Sequence, residues 1–587
     1  MSDEFARPVG ITKGPGETIH EYTFISRDER RLLKNGEYVY YALDAVARTN
    51  GAHGGEPRRV LGRILNRVPV QLFPDSFLSE PEVAPAQVAA LVGFDARASD
   101  LFELHVAIMG YYDERLGTFV NPWIPPSSGT PIYLAGDDLL ATVLSRKRSA
   151  ATGSATIGSL LTRAEGAVPV VLDVKDLVST HLAIIASTGS GKSYLASVII
   201  EELMRPYNGA AVLVVDPHGE YGTLQEMPNH PEFAPADAAG NGNGNGNGNG
   251  NGRHAARRAR YEARTRLYLH DQVKVRLNTL TTGDLRYLLP GLTEKQHHFL
   301  GRAHDAVVKA KKGQPWTADD LKAAVGRVGN EKNDESGDDS GNSTVAALSW
   351  KIDERLGQNN FVFDPFQHLD LREIFQPGQC TVLQLNELDE RDQQVIVATL
   401  LRRLYNARLD TEKGKVSDGD ERYLPYPVFV LLEEAHHFAP HGGDVVTTNI
   451  LKQVLAEGRK FGIGMGLISQ RPGKLDPDVL SQCLTQCIMR IVNDADQQSV
   501  ATAVEGVGHD LLDNLPALSK GQAIIAGSAV NTPVICRVRA RITPHGGESK
   551  DAPAEWLRYH TAGASEARER DASVMLPSND PISMFKR

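Results

Sequence analysis

Cysteine is scarce in this chain of 587 residues: only Cys380, Cys483, Cys487 and Cys536 occur. That is too few for a disulfide framework and points to a reducing compartment. Cys483 and Cys487 stand one helical turn apart without a second Cys or His pair beside them, so buried apolar thiols are a better reading than a metal site. Long apolar runs are missing as well. Nothing approaches the roughly eighteen residues that a membrane span needs, and the opening MSDEFARPVG is polar and partly acidic. The expectation is a soluble, cytoplasmic protein with no membrane contact. A basic excess is also absent, since 63 Lys and Arg face 73 Asp and Glu, for a net charge of −10. Composition therefore does not advertise nucleic acid. It does not exclude it either, because a ring or channel can gather Lys and Arg on an inner surface while its outside stays acidic.

What the chain does have is a phosphate-binding loop. Ala186-Ser187-Thr188-Gly189-Ser190-Gly191-Lys192-Ser193 follows the apolar run Leu182–Ile185 and leads, through Tyr194, into a helix-like stretch ending near Leu203. Small residues let backbone N–H groups curl round a phosphate at a helix N-terminus, a lysine reaches the β- and γ-phosphates, and a hydroxyl serves Mg²⁺. Ser187 to Tyr194 are the candidate nucleotide contacts, with Lys192 and Ser193 in the two specialised roles. Ala186 stands where such loops usually carry their first glycine, a position where a Cβ can be disfavoured.

The first 150 or so residues have another texture. Short alternating segments, Tyr22–Ile25, Glu37–Tyr41 and Arg59–Leu65, are separated by Gly, Pro and Asn, which suits a small antiparallel barrel. Beyond the phosphate loop, apolar β-branched runs alternate with helical periodicity, as in a largely parallel sheet covered on both faces. Ala211–Val215, Thr381–Leu385, Val428–Leu432 and Gly464–Ile468 are the expected central strands. The expected domains are a barrel over 1–150, a first core segment over 160–279, an inserted helical subdomain over 280–360, a second core segment over 361–545 and a tail over 546–587. Within them, 240–252, built on six Asn-Gly repeats, and 329–343, rich in Asp, Asn, Ser and Gly, are expected to be flexible loops.

The strand ends carry the remaining chemistry. Glu433 and Glu434 follow the apolar strand 428–432, where an NTPase places acids that hold Mg²⁺ through water and orient the attacking water. Gln470, in Ser469-Gln-Arg-Pro472, follows the next strand and is placed to touch the γ-phosphate or the lytic water; a turn closed by Pro472 is the competing reading. Asp216 opens Asp-Pro-His-Gly-Glu-Tyr221 at a strand end, either facing metal or nucleotide or simply closing a turn. Arg459 and Arg490 are both candidates for a phosphate contact, in their own subunit or a neighbour's, with a surface ion pair as the alternative for each.

Taken in order behind a strand-rich N-terminal region, TGSGKS, VVDPHGEY, LLEEAHHFAP, EGRKFGIG and SQRP resemble the HerA family of DNA translocases, and 393–404 and 476–483 look like the family too. The resemblance covers nearly the whole chain outside the two low-complexity segments. It implies an α/β fold with a RecA-like P-loop NTPase core of the FtsK–HerA class, an N-terminal HAS barrel and an inserted helical subdomain. It further implies a homo-hexamer that hydrolyses ATP with Mg²⁺ between subunits, threads double-stranded DNA and partners a NurA-like nuclease in end resection during double-strand-break repair. Partnership with an anti-phage defence effector, or a secretion or conjugation role for the same core, are the alternatives. The implied roles are Ser193 and Glu433 on Mg²⁺, Glu434 polarising water, Gln470 sensing product, and Arg459 or Arg490 stabilising developing charge. The tail resembles the family's brace on a neighbouring subunit. Ala186 and the Asn-Gly insertion depart from the family pattern, and neither is expected to abolish catalysis.

Overall fold

The computed structural model describes residues 7–14, 17–43, 58–70, 101–233, 262–336, 340–357, 360–503, 509–545 and 551–562. The chain forms two compact units, Met1–Pro544 and His545–Arg587. In the second, the described residues include one helix, Ala552–Ala562. The described strands of the first unit are β1 (Pro8–Thr12), β2 (Glu21–Ser26), β3 (Tyr38–Leu43), β4 (Arg58–Val70), β5 (Leu101–Asp113), β6 (Thr118–Val120), β7 (Pro131–Leu134), β8 (Ser154–Leu160), β9 (Pro169–Asp173) and β10 (Leu182–Ile185). They continue as β11 (Ala211–Asp216), β12 (Arg264–Tyr268), β13 (Val275–Arg276), β14 (Phe363–Asp364), β15 (Gln379–Gln384), β16 (Val428–Leu432), β17 (Ile463–Ser469), β18 (Thr485–Ile488), β19 (Gln522–Gly527) and β20 (Val534–Val538).

β1 to β7 form one antiparallel sheet in the order β2-β1-β7-β3-β4-β5-β6, and β2 also pairs with β5. That extra pairing closes six strands into a barrel and leaves β6 outside the closure. Alternation along each strand sends one residue in two inward, so Tyr22, Phe24, Val39, Tyr41, Val60, Leu104, Val106 and Ile132 fill the interior.

The large sheet runs β12-β15-β11-β16-β17-β10-β18-β19-β20-β8-β9. Its first seven strands are parallel, and those inside the edge strand β12 are buried on both faces: Leu182 and Ile184 of β10 join one apolar cluster, Ala183 and Ile185 the other. The last four pair antiparallel, starting from β18–β19. This wing departs from the expected parallel pattern and carries the sheet back to Ser154, ahead of the expected start of the core at 160. Its cause is long-range pairing, as of Cys536 with Leu160, which no local pattern encodes.

β17 reads Ile-Gly-Met-Gly-Leu because a helix lies hard against it. A Cβ on Gly464 would sit 2.5 Å from the Val178 carbonyl oxygen and 2.9 Å from Phe429. Gly464→Val is accordingly expected to lower folding stability by about 1–3 kcal/mol, read as a lower midpoint in thermal or urea unfolding.

Between β13 and β14, which pair with each other, the chain inserts the helices Thr282–Leu288, Glu294–Lys311, Ala318–Ser336 and Ser340–Leu356. The expected flexible loop at 329–343 is corrected here: residues 329–336 continue one helix and 340–343 begin the next. Packing overrides composition. The two helices approach so closely at Gly329 that a Cβ there would lie 2.3 Å from Val345, and Val325, Val328, Leu348 and Ile352 continue the buried stripe. The Asn-Gly segment lies outside the described residues. All four cysteines are buried free thiols, and burial pushes Cys380, Cys483 and Cys487 up to about 12, so they stay protonated and inert. No described helix is long and apolar enough to cross a membrane.

Candidate active site

The C-terminal tips of β10, β11, β16 and β17 share one edge of the sheet, the edge where open α/β folds bind ligands. After β10 the chain turns over the start of the helix Lys192–Leu203. Gly189 and Gly191 take φ values of 78° and 102°, which a side chain resists. Ala186 is not in that region, and its methyl joins the apolar cluster, so its replacement of glycine carries no strain. From the β18 side the loop is braced by one acceptor: the Ser187 N–H and the Ser190 hydroxyl both donate to the Arg490 carbonyl, at 3.0 and 3.2 Å.

Lys192 is buried, and its Nζ donates to Glu433 Oε1 at 3.0 Å and to Glu434 Oε1 at 2.7 Å. Burial alone lowers the ammonium's pKa, but the two carboxylates more than offset it and hold it above its ordinary value. Burial pushes Glu433 up to about 7 against the pull of Lys192. Consecutive residues of a strand point to opposite faces, so one more device is needed to aim both acids at one ammonium. Glu434 supplies it by adopting φ of 48°, a left-handed conformation costing on the order of 1–3 kcal/mol in a non-glycine residue. Ser193 Oγ lies 3.1 Å from Glu433 Oε1 and also contacts Glu220 Oε2.

The next strand tip connects to the same loop. Gln470 Oε1 accepts from the Thr188 hydroxyl at 2.8 Å. His436 Nδ1 lies 3.2 Å from Ser469 Oγ and 3.3 Å from Glu434 Oε2, and burial pushes its pKa down to about 4, leaving it neutral near pH 7. The loops after β16 and β17 are stitched together: Pro440 and Leu475 form an antiparallel bridge, the His441 N–H donates to the Lys474 carbonyl at 2.8 Å, and the Asp476 N–H to that of Ala439 at 2.9 Å. Beside them opens a cavity of about 1130 Å³ with His218, His437, His441, Arg471 and Lys474 on its wall.

Comparison with known proteins agrees with this geometry. A family model described as the central domain of helicase HerA matches residues 155–404. A probable helicase of Methanocaldococcus jannaschii is 28% identical over 547 residues, covering 91% of this chain and 96% of its own length. The DNA double-strand break repair helicase HerA of Pyrococcus furiosus is 29% identical over 481 residues, covering 74% of this chain and 78% of its own. Over most of its length the chain is similar to HerA helicases, and its residues 155–404 match their central domain. Among solved structures, VirB4 of Thermoanaerobacter pseudethanolicus covers 66% of this chain and 96% of its own at 14% identity and a TM-score of 0.45. The fold is a P-loop NTPase core with an N-terminal barrel, and the protein is an ATPase.

Within this core, not every residue singled out in the sequence stands at the phosphate loop. Asp216 is bound to its own turn: its Oδ1 accepts from the N–H groups of His218, Gly219 and Glu220 at 3.3, 2.7 and 3.1 Å, and its Oδ2 from that of Tyr221 at 3.0 Å. These four bonds make it a loop clamp, the turn-closing reading that its sequence context also offered. Tyr194 offers its hydroxyl to the Arg541 N–H at 2.8 Å. Arg490 stands at the mouth of its own phosphate loop with its side chain exposed. Arg459 lies at the other end of β17, before Ile463, and the seven residues of that strand separate it from Gln470 by roughly 20 Å. Its charge is felt instead by His181, at the start of β10, which burial and Arg459 push down to about 4.

Glu220 is the residue that sequence reasoning passed over. The hexapeptide did hold the signal: an Asp closing a Pro-His-Gly turn spends its carboxylate on backbone amides, which leaves the second acid for the site.

Proposed function

We propose that this chain is the motor subunit of a HerA-type ring, a homo-hexamer that hydrolyses ATP between subunits to drive double-stranded DNA and works with a NurA-like nuclease in end resection during double-strand-break repair. The observation that carries the reading is the convergence of Lys192, Ser193, Glu433 and Glu434 with Gln470 on Thr188, a complete hydrolytic set at one sheet edge. In this reading the barrel, the core and its helical insert make up the subunit body, and the tail 546–587 braces a neighbour; the tail segments 573–577 and 584–587 lie outside the described residues.

Arriving phosphates compete with Glu433 and Glu434 for Lys192. Ser193 and Glu433 would hold Mg²⁺, the latter through water; the buried and unpartnered Glu433 Oε2 fits that task. When bound, the cation neutralises charge on the β- and γ-phosphates. Glu434, relieved of Lys192, orients water and accepts its proton. Gln470 exchanges its Thr188 hydrogen bond for the γ-phosphate or lytic water and so reports nucleotide state. In this reading Arg490 serves its own subunit's site and Arg459, roughly 20 Å away, a neighbour's.

The stitched loops after β16 and β17 contain Lys474, His437 and His441 and begin at Glu434 and Gln470, so a backbone phosphate held there moves with the chemistry. The contact reads phosphate without base preference. Lys474→Glu is expected to weaken duplex binding roughly tenfold and to lower the salt slope by about 1, measured by fluorescence anisotropy over a salt series. Affinity that does not change removes Lys474 from the DNA surface. The reading as a whole is tested by ATP turnover with and without duplex DNA. Stimulation by DNA supports the motor, and a native protein without turnover ends it.

A further inference from the structure

The contacts of Ser193 hold an imbalance. A serine hydroxyl carries one proton, so it can donate to one carboxylate at a time, yet Ser193 Oγ meets both Glu220 Oε2 and Glu433 Oε1. Glu433 Oε2, on a side chain with no exposure, has no hydrogen-bond partner at all. Around these oxygens the one ammonium of Lys192 already serves Glu433 and Glu434. Glu220 and Glu433 thus share one hydroxyl, and Glu433 and Glu434 share one ammonium, at the place where a nucleotide, itself an anion, has to put its phosphates.

We propose that Glu220 makes nucleotide binding conditional on a divalent cation. Its charge adds to the attraction for a cation–nucleotide complex and to the repulsion of the bare nucleotide. No group of three or more His, Cys, Asp or Glu among the described residues is arranged to hold a metal unaided, so the cation is taken up together with the phosphates. The placement is built in: Asp216 fixes the loop through four backbone amides, Gly219 turns it at φ of 77°, and Glu220 is delivered to Ser193. The proposal rests on the ATPase reading and adds a selection step to it.

The test is a binding measurement. A fluorescent ADP analogue is titrated into full-length native protein and Glu220→Gln, once with Mg²⁺ and once with EDTA. The ratio of the two dissociation constants is expected to be large for the native protein and to shrink roughly tenfold in Glu220→Gln, through tighter binding of the metal-free nucleotide as well as weaker binding of the complex. Glu220→Asp, which keeps the charge, is expected to stay within about threefold of the native ratio. Glu220→Ala serves as a second neutral variant, with the same narrowing, should Glu220→Gln have a lowered thermal midpoint. A native ratio retained in both neutral variants overturns the proposal, and so does an equal loss of affinity in both buffers, which would make Glu220 a determinant of loop shape. Native protein that binds nucleotide in neither buffer overturns the ATPase reading along with it.

Discussion

Glu434→Gln is expected to cut DNA-stimulated ATP turnover by about 10³-fold while leaving affinity for Mg²⁺-nucleotide within a few-fold of native. The substitution keeps volume and shape, so the left-handed turn at Glu434 and the short helix Ala435–Phe438 that follows it persist. What disappears is the proton acceptor. The neighbouring groups do not replace it: Glu433 leads to Ser193, and His436, although its Nδ1 lies 3.3 Å from Glu434 Oε2, is pushed by burial down to about 4 and is too weak a base. Phosphate release gives turnover, and a fluorescent nucleotide gives affinity. A variant that retains more than about a tenth of native turnover assigns the water-activating role elsewhere, with Glu433→Gln as the next variant to measure.

Arg459→Ala is expected to cost a similar factor, about 10³ in turnover, although the residue lies roughly 20 Å from its own phosphate loop. The guanidinium is exposed, and among the described residues it forms no ion pair, so its removal disturbs little inside the subunit. Loss of activity therefore reports a contact made across a subunit boundary. Mixing decides the point. Arg459→Ala supplies an intact phosphate loop and Lys192→Ala an intact arginine, so rings assembled from both inactive variants contain some complete sites and regain turnover. Full activity of Arg459→Ala alone leaves Arg490, braced against Ser187 and Ser190, as the arginine of the site.

Much of the site was legible in the chain because its parts are short motifs at strand tips. Glycines at 189 and 191, the lysine and serine after them, and an acid pair ending an apolar strand each carry their geometry locally. The barrel alternation at Tyr22, Phe24, Val39 and Tyr41 was legible for the same reason. Features set by distant pairings were not. The barrel was expected, but the pairing of β2 with β5 that closes it, and the antiparallel wing that recruits β8, depend on partners far along the sequence. Asp216 and Glu220 show the limit within one motif: both are acids at a strand end, and only the hydrogen bonds of the turn decide which one reaches Ser193. At 329–343, polar composition suggested a linker, while the close approach at Gly329 carries the helix onward.

The helical insert has one further consequence. Its Phe299, Leu321, Val325 and Ile352 belong to the same continuous apolar cluster as Ile185, the last strand residue before the phosphate loop, and as Leu432, the residue before Glu433. Among the described residues, the insert and the central strands are thus packed as one apolar body. The insert's amides should therefore share the slow hydrogen exchange of the central strands, and a protein that grips the insert from outside would press on the nucleotide pocket through a solid wall.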